Sequence, residues 1–149
     1  KVFDSSNIPG EIIDTLIVNT KTLEENPKLG KALVGAWYEI MAEMKKDKAV
    51  REHMGKASGT DLAGFESQLS STKMFYEAGE AVEFVNSPAL KNTMQYVAEF
   101  SFKHGLLGEG AADAGFIGIE TPTGVFGNKD NIKLRFDPSY MEMVANGGL

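Results

Sequence analysis

The most regular hydrophobic pattern in the chain runs through residues 27–46, where Leu29, Leu33, Ala36, Trp37, Ile40 and Met44 recur at steps of three and four between Lys28, Glu39, Glu43 and Lys46. That period gathers the apolar residues into one stripe, so the pattern predicts a helix over 27–46 with the stripe buried, Trp37 included as a packing residue. Asp47 stands where it can cap a helix reaching about residue 56 and stopped by Ser58-Gly59. Thr60 is placed to cap the next, whose Leu62, Phe65 and Leu69 share a side. The segment 70–76 is irregular. Residues 77–85 return to helical spacing, and 88–104 carry Leu90, Met94, Val97 and Phe100 as a buried face closed by Gly105-Leu106-Leu107-Gly108.

Period-two and β-branched stretches are fewer. Val2-Phe3 reads as a short strand running into the polar turn Asp4-Ser5-Ser6-Asn7-Ile8-Pro9-Gly10, and Thr15-Leu16-Ile17-Val18, ending at Asn19, as a second, well-buried strand. Ile132, Leu134 and Phe136 alternate with Lys133 and Arg135, which predicts a short half-buried strand before a terminal helix over 138–145. Between 108 and 131 the chain is glycine-rich and weakly periodic and reads as loops with at most a turn of helix. Asn26-Pro27, Ser87-Pro88 and Asp137-Pro138 each set a capping side chain before a proline suited to the first helical turn, and Thr22 with Glu25 has capping-box spacing. The fold class expected is mainly α with a few short strands.

A length of 149 residues suits one domain with its own core. No apolar run approaches the roughly 20 residues that cross a bilayer. A net charge of -6 argues against a nucleic-acid partner, which a basic face would recruit. The absence of cysteine removes disulfides, thiolate metal sites and cysteine nucleophiles together without identifying a compartment. The sequence opens on Lys1-Val2-Phe3-Asp4, with no initiator Met or apolar leader, and enters directly into a strand-like stretch, so it reads as a piece or a processed form of a longer chain.

Candidate chemistry is sparse. His53 and His104 lack the spacing of a metal pair, and Gly105, Gly108 and Gly110 follow a helix instead of joining a strand to one, so neither a metal site nor a nucleotide loop is expected. No serine sits in a Gly-x-Ser-x-Gly elbow. Glu24-Glu25, Asp61 with Glu66, and Glu77, Glu80 and Glu83 supply carboxylates, but helical spacing puts most of them on solvated faces, and no catalytic residue is singled out. The seven methionines read as gap-filling core. Two stretches suit ligand contact. Asp4, Ser5 and Ser6, at the end of the first strand, offer a carboxylate and hydroxyls for a small polar ligand, or form a plain Asx/Ser turn. Thr72, Phe75 and Tyr76, with Ser71, Lys73 and Met74 between the helices, combine hydroxyl, cation and aromatic groups fit for a pocket wall, or form a packed loop.

Taken in order, residues 2–12, Val18-Asn19-Thr20, Asn26-Pro27 with 32–38, 57–62, Thr72-Lys73-Met74-Phe75-Tyr76, 100–108 and 133–137 resemble the C-terminal part of the nitrate, sulfonate and taurine type of ABC-transporter solute-binding proteins, and more narrowly those associated with urea carboxylase. Such proteins are two-lobed, type II periplasmic binding proteins about twice this length. The resemblance implies the C-terminal portion of that α/β fold, a periplasmic location, no catalysis, no cofactor and no metal. The implied ligand is a small nitrogen-containing solute such as urea, guanidine or an amide, gripped between two lobes whose closure the ABC permease membrane subunits read. Asp4, Ser5 and Ser6 would then lie near the hinge or cleft, with residues 72–76 approaching it. Asp4 would suit N–H donors or a cation, while Lys73 points the other way. Self-association of the chain is expected from apolar surface left uncovered. Two other readings stay open: the effector-binding domain of a cytoplasmic regulator, and a small hydrolase or lyase using an acid–base carboxylate pair.

Overall fold

Capping side chains decide where most of the helices begin. In the computed structural model, which describes Val2, Asn7, Ile8 and residues 10–148, the side chain of Asn19 accepts hydrogen bonds from the backbone N–H groups of Lys21 and Thr22 and starts helix α1 (Thr20–Glu25). Helix α2 (Leu29–Lys46) follows a turn in which Asn26 closes α1, its Nδ2 donating to the Thr22 carbonyl, so Asn26 ends one helix instead of capping the next. The capping-box spacing of Thr22 and Glu25 likewise falls inside α1. Asp47 caps α3 (Lys48–Ala57) through Ala49 N–H at 2.7 Å, as expected, whereas α4 (Leu62–Ser71) is capped by Asp61 through Gly64 N–H and not by Thr60. After α5 (Ala78–Val85), α6 (Pro88–Lys103) has Pro88 in its first turn, while the Ser87 hydroxyl donates back to the Phe84 carbonyl. Asp137 accepts from Ser139 N–H at the start of α7 (Ser139–Ala145).

Helix ends are equally local. Thr60 N–H reaches the Gly55 carbonyl and Gly59 N–H that of Lys56, while Leu106 N–H reaches Ser101 and Gly105 N–H reaches Phe102. Both are Schellman closures, in which a left-handed residue lets two N–H groups turn back on the last free carbonyls. Gly59 (φ 76) and Gly105 (φ 71) supply that conformation.

The chain divides into two compact units, one made of Lys1–Ala81 with Tyr140–Leu149 and the other of Val82–Ser139. In the first, Tyr38, Met41 and Met44 of α2 form a buried cluster with Phe65, Ala78 and Ala81, and Met54, Leu69, Tyr76, Met141 and Val144 pack against it. The expected methionine core is therefore largely present. The expected face of α2 is present only in part: Met44 is buried and Leu29 and Leu33 are half-buried, but Ala36 is exposed with Trp37 and Ile40. Trp37 and Ile40 are 48% and 49% exposed, while Met44 is 3% exposed and the inward line runs through Gly30, Val34, Tyr38 and Met41. This helix is apolar on two adjoining lines, and the partner chooses between them. The Tyr140 ring of α7 occupies the space a side chain at position 30 would fill, which only glycine allows.

The predicted strand at Thr15-Leu16-Ile17-Val18 is absent: residues 13–19 have no regular structure, and Leu16 and Ile17 are exposed. A β-branched run becomes a strand only where another strand offers its edge, and none of the described residues pairs with it. Val2 is exposed and outside any strand, and Phe3 with the acidic start of the turn after it lies outside the described residues.

The second unit holds the sheet, in the order β2-β1-β3, with β1 (Gly118–Thr121), β2 (Gly124–Gly127) and β3 (Ile132–Arg135). β3 was expected, and its Ile132 and Leu134 are half-buried against exposed Lys133 and Arg135. β1 and β2 replace the loops expected there. They form an antiparallel hairpin with Gly118 opposite Gly127 and Thr121 opposite Gly124, and β1 runs parallel to β3 with a bulge after Gly118. A Cβ at Gly118 would strike the Asn128 carbonyl and one at Gly127 the Ile117 carbonyl, so the glycines that made the stretch look like loop are what lets the backbones approach. The Thr121 hydroxyl, buried, donates to the Gly124 carbonyl at 3.0 Å and closes the turn, and Arg135 pairs with Glu120 across the parallel register. Helix α6 lies against β1 and β2, with Leu90 fully buried, Met94 and Val97 half-buried, and Phe100 exposed beside His104 instead of inside. Among the described residues no helix is long and apolar enough to cross a membrane.

Substituting Met44→Ala should cost about 2–5 kcal/mol by leaving a cavity, against less than about 1 kcal/mol for Ile40→Ala. Urea unfolding of the two variants checks which face of α2 is inward, and equal losses would contradict the packing described. Gly127→Ala should lower the urea midpoint by the equivalent of about 1–3 kcal/mol, because φ 80 and the Ile117 carbonyl both oppose a Cβ.

Candidate functional site

Helix α2 ends with carbonyls that have no partner of their own helix, and one of these builds the site. Arg51 of α3 donates through Nη1 to the Met44 carbonyl at 3.0 Å and through Nε to Glu66 of α4, also at 3.0 Å. The guanidinium is thereby held between three helices, and its side chain is 20% exposed. Six residues, Met44, Lys45, Arg51, Glu66, Leu69 and Tyr76, line an open hollow of about 340 Å³ at this junction. That volume is at the small end of the roughly 300–1,000 Å³ of ligand pockets. Met44 is buried and Leu69 packs against the core, so the hollow has an apolar floor. Lys45 donates to Glu77 at 3.0 Å, and its Nζ lies 5.9 Å from the centre of the Tyr76 ring. The hydrogen bond and charge of Glu77 raise the Lys45 pKa above its ordinary value, with smaller contributions from Glu80 and Tyr76.

The residues expected to bind ligand meet different fates. Tyr76 is half-buried and stands in the wall of the hollow. Phe75 packs against the same core, with Lys73 Nζ 5.4 Å from its ring centre. Thr72 caps the end of α4, its hydroxyl donating to the Gln68 carbonyl, and does not line the hollow. Asp4, Ser5 and Ser6 lie outside the described residues. Lys45 and Arg51 went unnoticed, and Glu66 was read only among the carboxylates of solvated faces, because their partners are remote in sequence, Glu66 15 residues from Arg51 and Glu77 32 from Lys45. The signal for Arg51 was its place shortly after the end of α2.

A second hollow, of about 500 Å³, lies along α3 and the start of α4 between Lys48, Glu52, Lys56, Asp61 and Leu62. The Lys56 hydrogen bond and charge hold the Glu52 carboxyl below its usual range. Apart from half-buried Leu62, these side chains are exposed, and the hollow lacks both the buried floor and the aromatic wall of the first. Among the described residues no group of three or more His, Asp or Glu could hold a metal ion. His53 is exposed, and His104 lies 4.3 Å from Phe100, ring centre to ring centre. Glu77, Glu80 and Glu83 are exposed, as their spacing implied.

Tyr38, in the core cluster, has its phenol pushed above the ordinary tyrosine value, first by burial and then by the Glu80 carboxylate. The unfolded chain releases that proton near pH 10, before the folded chain does, so the associated stability is complete below about pH 10 and falls as pH rises beyond it. Tyr38→Phe should therefore weaken the alkaline loss of stability and remove a late-titrating component from the tyrosinate absorbance. An equal alkaline loss of stability in the wild type and the variant would contradict this.

No protein-family model, curated protein or solved structure matches the chain.

Proposed function

We propose that this chain is part of the solute-binding component of an ABC importer, the C-terminal portion of a two-lobed type II periplasmic binding protein, capturing a small nitrogen-containing solute for the permease without transforming it. The observation that carries the reading is the position of Tyr76. The stretch 72–76 is one of those that resemble the solute-binding family, and its tyrosine forms the aromatic wall of a hollow with an apolar floor and a polar rim. A floor that excludes water and a few convergent polar groups are the ordinary makings of small-molecule capture. The mainly helical chain with a small sheet is consistent with this portion of such a protein.

Capture predicts stabilisation by mass action, about 2.7 kcal/mol when the solute stands at 100 times its Kd, with the solute recovered unchanged. Thermal unfolding in millimolar urea, guanidine, acetamide, nitrate or taurine should show a rise in Tm with at least one nitrogen-containing solute. Turnover of the solute, or no shift with any of them, would sink the reading.

A further inference from the structure

We infer that the hollow beside Tyr76 is a subsite for an uncharged, planar amide-type solute, of which urea is the smallest, in preference to a guanidinium cation or to nitrate and sulfonate anions. The inference rests on the importer reading for its setting and adds to it a location and a charge class. Charge balance is the first argument. Lys45 and Arg51 are matched by Glu77 and Glu66, each cation already 3.0 Å from its carboxylate. A guanidinium entering the hollow would meet Lys45 and Arg51 and would have to compete with them for Glu66 and Glu77. Nitrate or a sulfonate would have to take the cations from those same carboxylates. An uncharged solute disturbs neither pair.

Hydrogen-bond capacity is the second argument. Arg51 carries five N–H groups, and the bonds to Glu66 and to the Met44 carbonyl use two of them. Lys45 carries three and gives one to Glu77. Glu66, with its side chain 44% exposed, keeps acceptor capacity facing the same space. The hollow thus offers donors for a carbonyl oxygen and an acceptor for N–H groups, and an amide supplies both partners at once. Nitrate supplies only acceptors and guanidinium only donors. The Tyr76 ring with Leu69 and Met44 gives the flat, weakly polar face of such a solute an apolar surface to rest on.

Titration calorimetry of the full chain with urea, acetamide, guanidinium and nitrate, all at concentrations far below those that denature, tests this. Urea and acetamide should bind saturably and at least ten-fold more tightly than guanidinium or nitrate. Tyr76→Ala should weaken urea at least ten-fold with the helical circular dichroism unchanged. Glu66→Gln, which keeps the shape and removes one negative charge, should raise nitrate affinity relative to urea at least five-fold. A wild-type preference for guanidinium or nitrate overturns the charge argument. Urea binding that neither substitution alters overturns the location and leaves the importer reading standing. No binding by any of these solutes overturns both.

Discussion

The first unit is organised around the buried line of α2, where Tyr38, Met41 and Met44 meet Phe65, Ala78 and Ala81. The Tyr140 ring of α7 fills the space beside Gly30 on the same line, while Trp37 and Ile40 face out. Met44 is then inside at the C-terminal end of α2, where its carbonyl needs a donor from elsewhere. Arg51 provides it and, held there, can reach Glu66. The candidate site thus follows from the burial of Met44 at the end of α2.

What could be read in the sequence divides along the range of the interactions. Asp47, Gly59, Gly105 and Asp137 act on residues within a few positions of themselves, and the helix ends they mark stand where the sequence puts them. The Ile132-Leu134 alternation survives for the same reason. The inward face of α2 was misjudged at Trp37 and Ile40 because Leu33-Trp37-Ile40 and Val34-Tyr38-Met41 have the same period, and partners remote in sequence, Phe65, Ala78 and Ala81, distinguish them. Thr15-Leu16-Ile17-Val18 has the composition of a strand but no strand partner among the described residues, so its propensity goes unused.

The hairpin shows the opposite failure. Gly118, Gly124 and Gly127 are poor strand formers taken singly, yet each sits where the paired backbones leave little or no room for a side chain or demand a positive φ. A reading of propensity alone scores these glycines against the strand, while the structure needs them for it. Of the candidate site, Tyr76 was legible because an irregular stretch mixing aromatic, hydroxyl and charged residues is unusual between helices. The ion pairs that give the hollow its polarity were not, since each joins side chains from separate elements.

Those two ion pairs also differ in stiffness, and the difference bears on how the hollow can work. Arg51 is bound to two acceptors on two different helices, and its planar guanidinium loses little freedom on accepting a further partner. Lys45 has one carboxylate, is 52% exposed and sits on a flexible stem over the Tyr76 ring. Exposed pairs of this kind contribute little to stability, so Lys45 can shift at small cost while Arg51 cannot. One wall of the hollow is therefore preorganised and the other adaptable. A ligand oriented by Arg51 and Glu66 would spend little of its binding energy on ordering the protein, and the lysine side would adjust to its size.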